Sequence, residues 1–197
     1  LHPALPISPG DGLMVVDTFH VTDVAAGWFY AVGDVNRRAL VTHQGKYQAR
    51  IAGAVIGARA RGDQVDDAPW GAHVATADNV AVPQVVFTHP EVASVGLTTR
   101  EAERSGRRIK VVDHDLARVA GAHQYADGYR GQARMLIDLD RDIVAGVTFV
   151  GPGVAELVHS ATIAVAGEVP IDRLWHAVPA FPTIGEVWLR LLETHRG

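Results

Sequence analysis

The 197-residue sequence contains no cysteine. Disulfides and thiolate metal ligands are therefore excluded within this chain, and the absence suits a cytoplasmic setting. Long apolar runs are also missing. Gly, Asp or His interrupts each stretch well short of the ~18 residues that a membrane span needs, so no membrane partner is expected. The opening LHPALPISPGDG lacks the basic and apolar regions of a secretory signal. It also lacks an initiator Met, and the natural product is expected to start upstream. Positive charge is not in excess: 18 Lys and Arg stand against 22 Asp and Glu, for a net charge of −4. That leaves no electrostatic footprint for nucleic acid. Arg104, Arg107, Arg108 and Lys110 come nearest to a basic cluster and read as a solvated helix end. Finally, there is no G-x-G-x-x-G phosphate loop.

The chain does have enough apolar material for a core, 48% against 20% charged. Residues 1–12, with three Pro and two Gly, should be irregular. Leu13–Val16 and the following DTFHVTDV read as one or two small strands. Trp28–Val32 reads as a continuous apolar strand, buried on both faces, as in a parallel or mixed sheet. From about residue 43 to 61, Tyr47, Ile51, Ala54, Val55 and Ala58 fit one helical stripe, stopped by Gly62. Residues 63–82 are acidic, contain Pro and Gly and lack a sustained period, which suggests a boundary between residues 1–80 and 81–197.

Beyond that boundary, strand patterns appear at 84–88, 93–97, 109–115, 130–138 and 143–150, the last two forming a hairpin around Asp140–Asp142. A short helix should run from the Thr98 cap to Gly106. A helix over 154–166 is apolar nearly all round, so it is either central or covered by another subunit. A last helix follows over about 184–194. Strands first and helices after, without alternating crossovers, give an α+β fold with an antiparallel sheet and packed helices.

Several residues invite a chemical reading. Gly33 and Asp34 end the 28–32 strand and precede a helix. A carboxylate there can accept hydrogen bonds from ligand hydroxyls, with Gly allowing close approach and the helix start offering N–H groups. The plainer alternative is a turn that caps the helix. GPG at 151–153 opens a helix and either receives an anion or makes a turn. Thr183 and Glu186 have capping-box spacing. HPE at 89–91 shapes a bend. DHD at 113–115 is the densest metal candidate, but neighbouring strand side chains face opposite ways and no metal site is expected. Trp70, Trp175 and Trp188 read as core or interface aromatics.

Taken together, FYAVGDVN, LVTHQGKYQARIAG, VPQVVFTHPEVASVGLTTREAE, GVTFVGPGVAELVHSATIAVAGEVP and HAVPAFPTIGEVW resemble the FAD-dependent pyridine nucleotide–disulfide oxidoreductases. That family includes dihydrolipoamide dehydrogenase, mercuric reductase and glutathione reductase. The resemblance spans about residues 13–190 and implies a C-terminal segment of an FAD domain over 1–80, then a dimerisation domain over 81–197. It implies that Asp34 bonds the ribityl chain of FAD, Gly33 allows the approach, and Leu40, Val41, Thr42 and His43 lie against the flavin's pyrimidine side. It further implies NAD(P)H as co-substrate and a homodimer. The family's acid/base His corresponds to Phe181, which cannot carry a proton, while Glu186 matches the Glu that orients that His. The expectation is the C-terminal part of an FAD-dependent NAD(P)H oxidoreductase, inactive alone. The alternative is a stand-alone, non-enzymatic dimerisation module.

Overall fold

A computed structural model describes residues 12–22, 24 and 27–197. The expectation of an irregular 1–12 lies outside these residues, apart from Gly12. The chain forms two compact units, Leu1–Val82 and Pro83–Gly197.

In the first unit, Val15 bridges Val21 and His20 bridges Tyr30, both antiparallel. Backbone bonds Val21 N–H to Phe29 O (2.9 Å) and Ala31 N–H to Phe19 O (3.1 Å) hold 28–32 against this turn. The expected strand at Trp28–Val32 is thus an extended segment with isolated bridges, and Trp28 is 59% exposed. Its described backbone bonds go to one neighbouring segment, so it is not buried on both faces as a central strand would be. Phe19 is fully buried with Ala52 and Ala75, and Tyr30, Val32, Tyr47 and Ile51 pack around them.

Helix α1 (Thr42–Arg61) ends at Gly62, whose left-handed backbone donates to Ala58 O and Arg59 O. Its buried line is Gln44, Gln48, Ala52, Val55 and Ala58, not the expected stripe through Ala54, which is exposed. Counting apolar residues misplaced the face because two glutamines belong to it. A buried amide is tolerated where its groups find partners: Gln48 bonds through both its oxygen and its nitrogen, and Gln44 donates to Asp78. Helix α2 (Ala77–Val80) is a single turn that was not anticipated.

The second unit is built on one five-stranded antiparallel sheet of β1 (Gln84–Val86), β2 (Glu91–Gly96), β3 (Ile109–Asp115), β4 (Gln132–Asp138) and β5 (Ile143–Gly151). The spatial order is β1-β2-β5-β4-β3, and the fold is the expected α+β architecture. Helix α3 (Thr99–Ser105) carries the anticipated cap: Thr98 Oγ1 accepts from Glu101 N–H, and the Glu101 side chain returns to Thr98 N–H. Ala102 of α3 joins Leu136 and Ala145 in one cluster. In the β4–β5 hairpin, buried Asp138 Oδ1 accepts from the N–H groups of Asp140 (3.0 Å) and Arg141 (3.1 Å). This side-chain turn sets the reversal that the sequence pattern suggested.

The helix expected over 154–166 starts later. A 3₁₀ turn at Val154–Glu156 precedes α5 (Val158–Ala166). Glu91 Oε2 accepts Ala155 N–H at 3.1 Å, so the chain's own carboxylate occupies the anion position that GPG suggested. Helix α5 packs on β2 and β5, with Ala161, Ala164 and Val165 buried and Ile163 57% exposed. It is therefore not a central helix within this chain. Helices α4 (Ala120–Tyr125) and α6 (Ile171–Leu174) were too short to show a period. Helix α7 (Val187–Arg196) follows a 3₁₀ turn at Ile184–Glu186 and lies along β3 and β4, with Trp188 edge-on to Phe149.

Glycine makes one of these junctions possible. A Cβ on Gly121 of α4 would stand 2.0 Å from Thr183 C and 2.3 Å from Ile184 N. Gly121→Ala is expected to destabilise the second unit by about 1–3 kcal/mol, because backbone and not a flexible side chain must move. Gly53→Ala on α1 meets nothing within 4 Å and is expected to stabilise by about 0.5–1 kcal/mol through helix propensity. Denaturant titration of both variants checks the opposite signs.

Candidate functional site

The first candidate site is a 3₁₀ turn, Gly33–Asn36, entered from extended Val32 and left through Arg37 at φ 56. Gly33 itself sits at φ 77, where a side chain would be strained, and the space around its absent Cβ is open. Asn36 is buried and donates to Ala31 O (3.1 Å) and Gln48 Oε1 (2.8 Å). The same Gln48 oxygen accepts Gly33 N–H at 2.7 Å. Gln48 Nε2 then donates to Asp78 Oδ2 (2.8 Å), and Gln44 Nε2 to Asp78 Oδ1 (2.7 Å). Burial pushes the Asp78 carboxyl above the usual carboxylate range, against the opposing pull of Gln44, Arg38 and Gln48. Arg38 bridges Asp17 at 2.5 Å and reaches Asp78 at 3.6 Å, with its guanidinium 5.4 Å from the Phe19 ring centre.

Around this turn the anticipated residues fall as follows. Asp34 is exposed, and so are Leu40, Thr42 and His43; Val41 is half-buried. Val41 is the extended residue before α1 and gives the helix no side-chain cap. The turn and the helix start are close neighbours, since a Cβ on Gly45 would lie 3.4 Å from Gly33 Cα. One patch thus holds a carboxylate, exposed apolar side chains and the positive end of a 20-residue helix. Asn36, Gln44, Gln48, Asp78 and Arg38, which fix that patch, were not picked out from the sequence. The available signal was Gln at i and i+4 in line with the apolar positions Ala52 and Val55.

The second candidate lies at 180–190. Phe181 is 75% exposed and Glu186 is 5% exposed. The capping-box reading of Thr183 and Glu186 does not hold. Thr183 Oγ1 donates backwards to Ala180 O at 2.6 Å, and the Glu186 carboxylate pairs with Arg190. A carboxylate this buried is held by a cation one turn ahead, and the threonine hydroxyl is already used. Glu186 Oε2 has no hydrogen-bond partner among the described residues. His176 is exposed. An apolar groove of about 370 Å³ is lined by Ile163, Leu174, Pro179, Trp188 and Leu192, among others. Trp188 Nε1–H donates to Ser160 Oγ at 2.9 Å, and Trp175 stacks under Arg196 at 4.1 Å; both tryptophans are half-buried, whereas Trp70 is exposed.

Asp113 and Arg134 pair through two hydrogen bonds of 2.7 and 2.8 Å, so the acid of DHD is committed to an arginine on the neighbouring strand. His114 sits on β3 with Nε2 buried and unpartnered among the described residues, and His195 on α7 has Nδ1 in the same condition.

Residues 82–191 match the family described as pyridine nucleotide-disulphide oxidoreductase, dimerisation domain. The dihydrolipoyl dehydrogenase of Chlamydia pneumoniae is 30% identical over 179 residues, which cover 90% of this chain and 35% of that protein. That of Thermus scotoductus is 30% identical over 171 residues, 87% of this chain and 34% of that protein. The chain therefore spans about a third of the length of these relatives. The fold is similar to that of the HOCl-induced flavoprotein disulfide reductase RclA from Escherichia coli, with a TM-score of 0.77 at 22% identity, covering 98% of this chain and 41% of that one. It is also similar to LpdA from Mycobacterium tuberculosis, with a TM-score of 0.76 at 19% identity, covering 96% and 38%.

The orphaned histidines of the second unit, His114 and His195, have a measurable consequence. Burial, then Arg190, lowers the affinity of His114 for a proton; Asp115 and Glu193 oppose this and Arg118 adds to it. Burial, then Lys110, does the same for His195, with Asp142 opposing and Arg196 adding. A histidine whose folded pKa lies below its unfolded value binds fewer protons when folded, so stability is lost as pH falls from about 6.5, the unfolded value, through the lower folded one. Lowering the pH from about 7.5 to about 5 is expected to destabilise the second unit. His114→Gln combined with His195→Gln should flatten that dependence in urea titrations at each pH.

Proposed function

Because the chain belongs to the pyridine nucleotide-disulphide oxidoreductase family, we propose that it is the C-terminal part of an FAD-dependent NAD(P)H oxidoreductase. Its residues 1–80 complete the flavin pocket, and residues 81–197 form a homodimer. The observation that carries this reading is the Gly33–Asn36 turn seated at the uncapped start of α1.

The residues at that turn fit the cofactor. Exposed Asp34 accepts hydrogen bonds from the ribityl hydroxyls, and the open space at Gly33 lets the chain approach. Leu40 and Val41 supply apolar surface, and Thr42 and His43 bring the N–H groups of the helix start, where negative charge is favoured. Bound at this turn, FAD would supply the capacity to accept a hydride from a nicotinamide and to release two electrons. With no cysteine, these 197 residues hold no redox dithiol of their own. By itself the chain is inactive in this reading.

The chemistry at the other end differs from dithiol exchange. Phe181 stands where the family's acid/base histidine would be, and phenylalanine neither holds nor releases a proton. Buried Glu186 is left with one oxygen paired to Arg190 and one unpartnered among the described residues. A dithiol step is thereby left without its usual proton carrier, which favours a final electron acceptor other than a disulfide. The open side of α5 at Ile163, beside the apolar groove, supports a dimer contact on that face. The setting is cytoplasmic in this reading.

The visible spectrum and intact mass of the natural gene product test the proposal. A yellow protein well above 21.1 kDa is the expected result; a colourless product of that mass would leave a stand-alone dimerisation module instead. Asp34→Ala should weaken FAD binding by about tenfold to a hundredfold, the loss of charge-assisted hydrogen bonds. Flavin fluorescence titration reads this directly. A small disulfide should reoxidise the reduced flavin no faster than buffer does.

A further inference from the structure

We infer that Gln48 is a positioning residue for the cofactor contact. Its side-chain amide, oriented by Asp78, fixes the Gly33–Asn36 turn in the shape that presents Asp34. The inference rests on the flavin reading of that turn.

Gln48 is fully buried, in the second turn of α1 and 15 residues from the group it holds. Its oxygen faces two donors, Gly33 N–H at 2.7 Å and Asn36 Nδ2 at 2.8 Å. Its nitrogen faces an acceptor, Asp78 Oδ2 at 2.8 Å. This leaves the amide one orientation. Reversed, its NH₂ would oppose two donors and its oxygen would oppose a carboxylate. Asp78 is held in turn by Gln44 at 2.7 Å and lies 3.6 Å from Arg38. The charge on Asp78 is thereby linked through one amide to the backbone N–H immediately before Asp34.

Several features separate this from ordinary core packing. The Gln48 oxygen joins both ends of the four-residue turn, and Asn36 is buried with it. The turn's backbone closes through Arg37 N–H to Asp34 O at 3.1 Å, which leaves the direction of Gly33 N–H to be set from outside. An aliphatic residue at position 48 would fill the space but leave Gly33 N–H and Asn36 Nδ2 without their shared acceptor. A glutamate would keep the acceptor but place a second carboxylate against Asp78.

The last point supplies a test whose result packing alone does not give. In the natural full-length polypeptide, Gln48→Glu is expected to weaken FAD binding by at least about tenfold at neutral pH, the cost of disturbing one buried charge-assisted hydrogen bond. Adding Asp78→Asn should bring affinity back to within about threefold. The amide introduced at position 78 then donates to the carboxylate introduced at position 48, and its oxygen still accepts from Gln44. Hydrogen exchange at the Gly33 amide should follow the same loss and return without flavin present. Unchanged FAD affinity in Gln48→Glu overturns the inference. So does a loss that the double variant does not reverse, which would assign Gln48 a purely structural role. If Gln48→Glu does not fold, Asp78→Asn alone decides: at least about threefold weaker FAD binding supports the inference and unchanged binding overturns it. Failure of the unaltered polypeptide to bind FAD is a separate result that overturns the proposed function, and this inference with it.

Discussion

A polar group taken out of water must find its partners inside the protein. In residues 12–82 this constraint is concentrated on the side-chain amide of Gln48. One oxygen and one nitrogen connect the Gly33–Asn36 turn, α1 and Asp78. The turn has few apolar contacts of its own, since Asp34 and Val35 are exposed. Its shape follows from hydrogen bonds made by a residue 15 positions away. The exposed carboxylate can be offered to a ligand because the groups beneath it are satisfied without it.

The same constraint organises residues 83–197 differently. There the sheet satisfies the backbone, and β5, paired on both sides, is buried along most of its length. The remaining buried acids each have a local task. Asp138 closes the β4–β5 hairpin, and Glu186 is tied to Arg190 on α7. Glu91 serves the start of the segment leading into α5, which removes the GPG turn from the set of free anion sites. His114 and His195 each keep a buried nitrogen without a partner among the described residues, as Glu186 keeps one carboxylate oxygen. Burial and nearby cations at the α7–β3 seam lower the affinity of both histidines for a proton.

Much of the architecture could be read along the chain because it rests on local rules. The Thr98–Glu101 capping box, the Gly62 and Gly106 stops and the alternating strands of the sheet depend on neighbours within a few positions. The helix face of α1 did not follow from such rules. An apolar count favours Ala54, whereas the buried line runs through Gln44 and Gln48, which are admitted to the core by Asp78 some 30 residues on. Thr183 and Glu186 show the opposite error. Their spacing satisfies a capping rule, but Ala180 and Arg190 compete successfully for the same groups. The Trp28–Val32 segment was apolar enough for a central strand, yet burial of a strand depends on what lies on both sides of it.

The sequence by itself determined the family resemblance and the antiparallel sheet with its helices. These follow from residue identity and short-range periodicity, which survive without coordinates. Tertiary structure decided which polar residues are buried and with whom, including the placement of Gln48 between a backbone N–H and a carboxylate. The physical reason is that the cost of burying an amide depends on partners distant in sequence. Local pattern carries no record of them until the chain has folded.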